Sequence, residues 1–413
     1  MAAPLVTMVG GALLVLMQLY LAIPLAPVVG DAFGRDSTIA FAVLSTAYSL
    51  AHGVGFVVWG PISDCYGRKV VLIPGMVALA VATAGLAVAP TLEVIVTLRA
   101  VQGFAAASFA PVALAYVGEA LPPRWRTTGI GAVSTAFLVA GIVGQVYGQV
   151  VALTLGWRWA FALAAAAFVL MAPAMATILR EPRRSGPPAK LAQLFRQLAG
   201  LTVRRELLLL YAAAFTLLLA FVAMYAALGP LLQTGFDLGS TDVLLVRLIG
   251  LSGMVLAPLG GTLVGRFGPM RIAVTGFTLA AVGLGLEALT VGTLWVLVAA
   301  SVIFVAGVAI TAPALIALVS ARAGQARASG IGLYGLALFG GASIGPLAVG
   351  LPLGFTGLLL ALAALLIVGA VLVTASSPSR ERERSRSVAG KESSYNAPAA
   401  VLQPADKNKN VSL

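Results

Sequence analysis

The segment GPISDCYGRK, residues 60–69, is a short polar sequence between two long apolar runs. Gly60 lacks a side chain and would let a neighbouring helix approach closely, while Gly67 suits a tight turn. Asp64 offers a carboxylate to a basic partner or a helix N-terminus. Arg68 and Lys69 add positive charge directly before the next apolar run. The segment therefore predicts a tight basic connection between two helices that cross a membrane.

The composition extends this pattern to the whole chain. Of 413 residues, 60% are hydrophobic and only 10% are charged, which is more apolar surface than a water-soluble core would use. A helix needs about 20 apolar residues to cross a bilayer, and hydropathy predicts twelve such helices in an all-α integral membrane protein. They begin near Leu5, Thr38, Val70, Val94, Thr128, Trp159, Leu207, Val243, Ile272, Leu294, Ala328 and Leu353.

Basic residues are distributed very unevenly between the predicted loops. Of the 26 Lys and Arg, all but four lie in alternate loops and the C-terminal tail. Of these four, Arg35, Arg158 and Arg247 are assigned to the opposite loops, and Arg99 falls within a span. Because cytoplasmic loops carry most of the basic residues, both termini are predicted to be cytoplasmic, with the protein in the inner membrane. The net charge of +12 thus indicates membrane orientation, not nucleic-acid binding.

An internal repeat divides the chain. Four glycines recur in the second half at one constant offset of 201 positions (268 − 67 = 201), which predicts a duplication and two pseudo-symmetric six-helix bundles. The pairs are Gly60 and Gly261, Gly67 and Gly268, Gly144 and Gly345, and Gly156 and Gly357. The predicted domains are a first bundle (1–179), a cytoplasmic linker (180–206), a second bundle (207–374) and a disordered cytoplasmic tail (375–413).

The linker contains one apolar pattern of its own. Leu191, Leu194, Phe195 and Leu198 have helical spacing beside basic residues, which favours an amphipathic helix on the membrane surface. A solvated linker without such a helix is the alternative. The breaker Gly186–Pro188 precedes this pattern.

Residues 60–69 resemble the G-x-x-x-D-R-x-G-R-K signature of the major facilitator superfamily, and the likeness covers roughly residues 5 to 374. The resemblance implies twelve helices in two bundles, and a conformational latch between the halves in which Gly60, Asp64, Gly67, Arg68 and Lys69 take part. Cys65 stands where the family has a basic residue, so an ion pair is absent or is made by Arg68. The second half keeps the frame with Gly261, Arg266, Gly268 and Arg271, although Gly265 replaces the acid.

Arg99, Gln102 and Gly103 resemble the family's R-x-x-Q-G element. A guanidinium inside a span costs several kcal/mol unless it faces water or polar partners. The three residues are therefore candidates for coupling. The alternative is that Arg99 extends to the membrane surface.

A third resemblance is to the glycine-rich element of antiporters, G-x-x-x-G-P-x-x-G-G. Gln145 and Gln149 replace its proline and final glycine, which weakens the inference of antiport. Ordinary helix packing explains the same glycines equally well. The residues concerned are Gly131, Gly144 and Gly148 in the fifth helix and Gly341, Gly345 and Pro346 in the eleventh.

Polar and aromatic residues near the middle of the spans are candidates to line the path of a solute, although any one tyrosine also suits packing or interfacial anchoring. The candidates are Gln18, Tyr20, Tyr48, Gln145, Gln149, Tyr211 and Tyr225. His52 titrates near neutral pH and is a further coupling candidate. A hydrogen-bonded structural role is its alternative.

Every acidic residue can be placed in a loop, the tail or a helix end. Proton coupling would therefore use His52 or a loop acid, or transport would occur without protons. Sparse charge suits a hydrophobic or neutral solute.

The sequence predicts a transporter that works by alternating access, as a monomer carrying a small-molecule solute through the lipid bilayer. Proton-coupled export of small hydrophobic or neutral compounds is the leading hypothesis, with no cofactor and the proton gradient as energy source. An uptake symporter or facilitator for a sugar or organic metabolite is the alternative, and a non-transporting membrane sensor is the alternative of another class. An enzyme is not expected, because paired intramembrane carboxylates are missing. One cysteine and one histidine exclude an internal disulfide and a Cys/His metal cluster.

Overall fold

The structure is a computed structural model that describes residues 2–182 and 191–377. The predicted breaker Gly186–Pro188 and the tail from residue 378 lie outside the described residues. Within them, the secondary structure is helical and contains no strand. Among the described residues, twelve helices are long and apolar enough to cross a membrane, as the sequence predicted.

The bounds of the spans follow the predicted boundaries closely. In the first half, span 1 comprises Ala2–Tyr20 and Ala22–Ala32, span 2 Ser37–Tyr66, span 3 Arg68–Ala87, span 4 Leu92–Ala106 and Ala110–Ala120, span 5 Pro123–Thr154, and span 6 Trp157–Ile178. In the second half, span 7 is Arg205–Gly235, span 8 is Ser240–Leu251, a 3-10 turn Ser252–Leu256 and Ala257–Phe267, span 9 is Pro269–Leu289, span 10 is Leu294–Ala323, span 11 is Arg327–Ala348, and span 12 is Gly354–Ala375.

Two spans of the first half are interrupted where a proline removes a backbone donor. Pro24 cannot donate to the carbonyl one helical turn before it, and span 1 is broken at Leu21. Pro111 has the same effect in span 4, which is broken between its two helices. Both interruptions lie beside candidate residues, since Tyr20 precedes the first and Gln102 precedes the second.

The turn at residues 60–69 has the predicted geometry. Gly67 has a φ of 120°, and its counterpart Gly268 has a φ of 87°; only glycine adopts such values easily. Glu181, directly after span 6, accepts hydrogen bonds from the backbone N–H groups of Arg68 (2.7 Å) and Lys69 (2.8 Å). A carboxylate thus stabilises the N-terminus of span 3.

Each half has its own hydrophobic core. One cluster of buried residues lies wholly within residues 201–373, and two others lie wholly within residues 8–179. The halves join chiefly where span 2 packs against span 11. There the hydroxyl of Thr46 donates to the carbonyl of Ser343 (2.8 Å), and the ring of Phe56 fills the space that Gly335 leaves.

The linker contains the helix Leu191–Leu201, whose Leu198 and Leu201 are buried. This helix packs against spans 2 and 11. We call the end of the bundle that holds this helix and Gly67 the linker end, and the opposite end, which holds Asp36 and Asp237, the distal end.

Asp36 provides a test of helix capping at the distal end. Its carboxylate accepts a hydrogen bond from the backbone N–H of Thr38 (2.7 Å) at the start of span 2, which lowers the pKa of Asp36. Asp36→Ala should cost about 1 kcal/mol of stability in detergent unfolding experiments, whereas Asp36→Ser keeps a cap and should lose less. The pKa of Asp36 is lower in the folded protein than in the unfolded chain. The stability that the ionised carboxylate adds is therefore fully present above the unfolded-state pKa, and it is lost as pH falls through the folded-state pKa. Equal losses in both variants at neutral pH would contradict the cap.

Candidate functional site

A small cavity of about 70 Å³, partly open to solvent, lies between the two halves at the distal end. Spans 1, 2 and 5 of the first half and spans 7 and 8 of the second half form its walls. Most of the walls are apolar, with Phe41, Leu153 and Val243 as examples. We call this space the distal cavity.

Two of the predicted path residues, Gln149 and Tyr225, line the distal cavity. Arg247 also lines it, although the sequence analysis assigned that residue to a loop. That assignment is wrong, because Arg247 lies within the helix Ser240–Leu251 and is only 9% exposed. Its guanidinium occupies the space beside Gly229, and its Nη2 donates to the backbone carbonyl of Tyr225 (3.4 Å).

Arg99 lies at the centre of a buried polar cluster in the first half. It is fully buried and donates to the backbone carbonyls of Leu44 (2.6 Å) and Gln18 (3.0 Å) and to the side chain of Gln102 (2.6 Å). Gln102 in turn donates to Thr83 (2.7 Å) and to the side chain of Gln18 (3.2 Å). Arg99 therefore does not extend to the membrane surface. Within residues 2–182 and 191–377, no carboxylate forms an ion pair with it.

Tyr48 connects this cluster to His52. The Arg99 guanidinium lies 4.3 Å from the centre of the Tyr48 ring, and that ring stacks on His52 with centroids 5.6 Å apart. The Nδ1 atom of His52 is 3.0 Å from the carbonyl oxygen of Gly103, and the ring also contacts Phe339 of span 11. Aromatic rings thus surround the buried imidazole, an environment that favours the structural alternative for His52.

The remaining path candidates lie away from the lining of the distal cavity. Gln18 and Tyr48 belong to the Arg99 cluster, and Gln145 donates to Gly141 of its own helix (3.0 Å). Tyr20 lies beside Gly141 and Met254, where the halves meet, and Tyr211 lies beside Gly330 near the linker end. Hydropathy could not predict the surroundings of these side chains, because residue spacing along one helix does not determine which other helix packs against it.

A second buried polar cluster lies in the other half, and the sequence analysis missed it. Glu287 lies near the end of span 9, where the sequence analysis placed it, but it is fully buried, which the sequence analysis did not predict. Ser301 of span 10 lies near Glu287, and Tyr225 lies near both Glu287 and Arg247. The available signal was a single acidic residue within the apolar run VGLGLEALTVG, residues 282–292.

The two clusters occupy corresponding spans of the duplicated halves. In the first cluster, span 1 contributes Gln18, span 2 Tyr48, span 3 Thr83, and span 4 both Arg99 and Gln102. In the second cluster, span 7 contributes Tyr225, span 8 Arg247, span 9 Glu287 and span 10 Ser301. The location of the polar groups is shared by the halves, but their chemistry differs.

The 60–69 loop is held by ion pairs within the first half. Arg68 binds both carboxylate oxygens of Glu119 (2.6 and 3.2 Å) and pairs with Asp64. Lys69 donates to the carbonyl of Ala176 (2.5 Å). All these partners belong to spans 2, 3, 4 and 6, so in this conformation the loop joins spans of one bundle. In the second copy, Arg266 lies over the ring of Phe267 and Arg271 is exposed.

Most of the predicted packing glycines have close neighbours. A Cβ added at Gly144 would lie 2.7 Å from the carbonyl oxygen of Met17, and one added at Gly341 would lie 2.0 Å from the carbonyl oxygen of Phe215. A Cβ added at Gly148 would lie 2.9 Å from Pro24, and one added at Gly345 would lie 2.8 Å from Val222. Pro346, within the helix of span 11, is buried. For Gly60 and Gly131 the expectation of close packing is wrong, because no described atom lies within 4 Å of a Cβ there.

Twelve spans in two bundles around an intervening cavity define a polytopic membrane transporter. The Major Facilitator Superfamily model matches residues 8–346, with a second match over residues 255–409. The chain belongs to the major facilitator superfamily, and the predicted family and fold class are confirmed.

Individual relatives are distant. The inner membrane transport protein YnfM of Escherichia coli is 27% identical over 264 residues, 62% of this chain and 63% of that protein. Multidrug resistance protein 3 of Bacillus subtilis is 26% identical over 121 residues, 29% of this chain and 24% of that protein. The chain thus matches less than two thirds of the length of either relative.

Solved structures share the fold. The human organic anion transporter MFSD10 (TETRAN) has a TM-score of 0.68 at 19% identity, with 90% of this chain and 99% of that chain covered. A bacterial homolog of the human lysosomal transporter Spinster has a TM-score of 0.67 at 15% identity, with coverage of 91% and 96%. These likenesses support the architecture alone.

Gly103 tests the packing that places the Arg99 cluster. An added Cβ would lie 2.2 Å from the backbone oxygen of Tyr48, so Gly103→Ala must move span 4 away from span 2. We expect a loss of about 1–3 kcal/mol in stability together with impaired transport. Gly118→Ala in the same span, where no described atom lies within 4 Å, is the control and should unfold like the wild type. Comparable thermal unfolding of both variants would contradict this packing.

Proposed function

We propose that this transporter exports small hydrophobic or neutral compounds from the cytoplasm in exchange for protons. The observation that carries the proposal is the largely apolar, solvent-open distal cavity between the two halves. An apolar cavity with few polar groups suits such solutes. If both termini are cytoplasmic, the distal end faces the outside, and the cavity is open on the side where an exporter releases its solute.

The names of some relatives support export. Multidrug resistance protein 3 of Bacillus subtilis and the efflux pump dotC of Dothistroma septosporum match 29% and 30% of this chain. Arg99 adds a physical argument for conformational coupling, since a buried cation held by neutral acceptors responds strongly to any change in nearby charge.

A growth screen would test export. An efflux-deficient host that expresses the protein should gain resistance to some members of a broad compound panel, and Arg99→Ala should remove that resistance. The expected decrease in transport rate is at least about tenfold, which corresponds to about 1.4 kcal/mol. Asp64→Asn should weaken the Arg68 network and reduce resistance. Arg35→Ala, at an exposed position, is the matched control. Resistance retained by Arg99→Ala in normally expressed protein would contradict the proposed role of Arg99.

Arg247 favours one specific alternative, an uptake carrier for an organic acid. Its guanidinium lines the distal cavity and suits a carboxylate on the solute. In this case Arg247→Gln should abolish transport of benzoate in reconstituted vesicles and spare that of a neutral solute.

The direction of proton coupling is tested separately. Vesicles that are acidic inside should accumulate the solute of a proton antiporter, whereas a proton symporter should export the solute from them. Binding without flux would support the sensor hypothesis instead.

A further inference from the structure

Glu287 is an acidic side chain buried among apolar spans without a matching partner. Its exposed fraction is 0%, and neither carboxyl oxygen has a hydrogen-bond partner among the described residues. Ser301 lies near the carboxyl, and its hydroxyl likewise has no partner among these residues. Both groups are therefore available for a bond that this conformation does not make.

Few charged groups face this carboxyl from the helices around it. Span 9 packs against spans 8, 10 and 12. Span 12 contains no titratable residue. Arg266 of span 8 and Arg322 of span 10 are at the linker end, and Asp242 of span 8 is exposed. Tyr225 of span 7 lies near both Glu287 and Arg247. Among the described residues, no cation forms an ion pair with Glu287.

This arrangement makes the ionised carboxylate costly. A buried carboxylate without an ion pair or hydrogen bonds loses several kcal/mol of solvation, and one bound proton removes that cost. The ionised form becomes favourable only if Arg247 or another donor approaches. The charge on Glu287 and the position of the Arg247 side chain are therefore coupled.

Two residues with hydroxyl groups, Tyr225 and Ser301, lie near the acid. Tyr225 lines the distal cavity. The Tyr225 hydroxyl and the Ser301 Cβ lie 3.2 Å and 3.3 Å from the position of a Cβ on Gly250, so the two side chains are neighbours. Both hydroxyl groups lack a hydrogen-bond partner among the described residues and are therefore free to bind a proton or a water molecule.

We propose that Glu287 is the proton-binding group of the transport cycle and that it exchanges its proton with the distal cavity by way of Tyr225 and Ser301. This inference rests on the proposed proton-coupled export. Binding converts the carboxylate to a neutral carboxylic acid, and release restores the carboxylate, with no other bond made or broken. When Glu287 is ionised, it attracts Arg247 away from the cavity wall; when it is neutral, Arg247 stays there. Proton binding thereby alters the surface that the solute meets.

Infrared difference spectroscopy of the full chain in lipid vesicles would test proton binding without any solute. Spectra recorded across a pH titration in D₂O should show the C=O stretching band of a buried carboxylic acid. Glu287→Gln should abolish this band. Glu93→Gln, a matched change at an exposed acid of span 4, should leave it intact. A band that persists in Glu287→Gln, or is absent in the wild type, would overturn the inference.

Two further measurements separate folding and function. Glu287→Asp keeps a carboxyl and should shift the band, which assigns it even if Glu287→Gln folds poorly. With labelled chloramphenicol as a neutral probe, wild-type vesicles that are acidic inside should accumulate the compound, while Glu287→Gln should only equilibrate it. Accumulation by Glu287→Gln equal to the wild type would overturn the coupling role and leave export standing. A titrating band without wild-type accumulation would support the proton site and count against export of this probe.

Discussion

The free-energy cost of placing charge and unpaired polar groups in hydrocarbon governs this structure. Helices satisfy their own backbone groups, so the spans consist mostly of apolar and small residues. A side chain that stays charged inside must obtain its partners from neighbouring helices, whereas an acid without partners favours its neutral form. Arg99 obtains them from two backbone carbonyls and Gln102. Each such residue therefore fixes the positions of several spans at once.

Duplication has reproduced the location of the polar groups without reproducing their chemistry. In the first half, a cation lies against Tyr48 and is held by neutral acceptors. In the second half, Tyr225 lies near a cation, Arg247, and an acid, Glu287. The two bundles therefore place polar groups on corresponding spans but differ in the charge of those groups.

The location of the cavity reflects how closely the halves approach at each level. Glycines and small residues let span 2 and span 11 pack tightly, as Phe56 against Gly335 shows. Toward the distal end the walls include bulky side chains such as Phe41 and Tyr225, and the halves enclose open space. A change of state would require the packed region to open, and the contacts of Thr46 and Phe339 across the halves are the ones that must then break.

The sequence by itself determined the twelve spans, the turn at Gly67 and the need of Arg99 for polar partners, because hydropathy, backbone conformation and the cost of a buried guanidinium are local properties. It also indicated that the halves are related, through glycines at a constant offset. Only the tertiary structure showed that Arg247 lines the cavity, that Glu287 is buried and that Gly131 packs against nothing described. Burial depends on which helices become neighbours. A residue near the end of its own helix can lie deep in the protein when the adjacent helices extend beyond it.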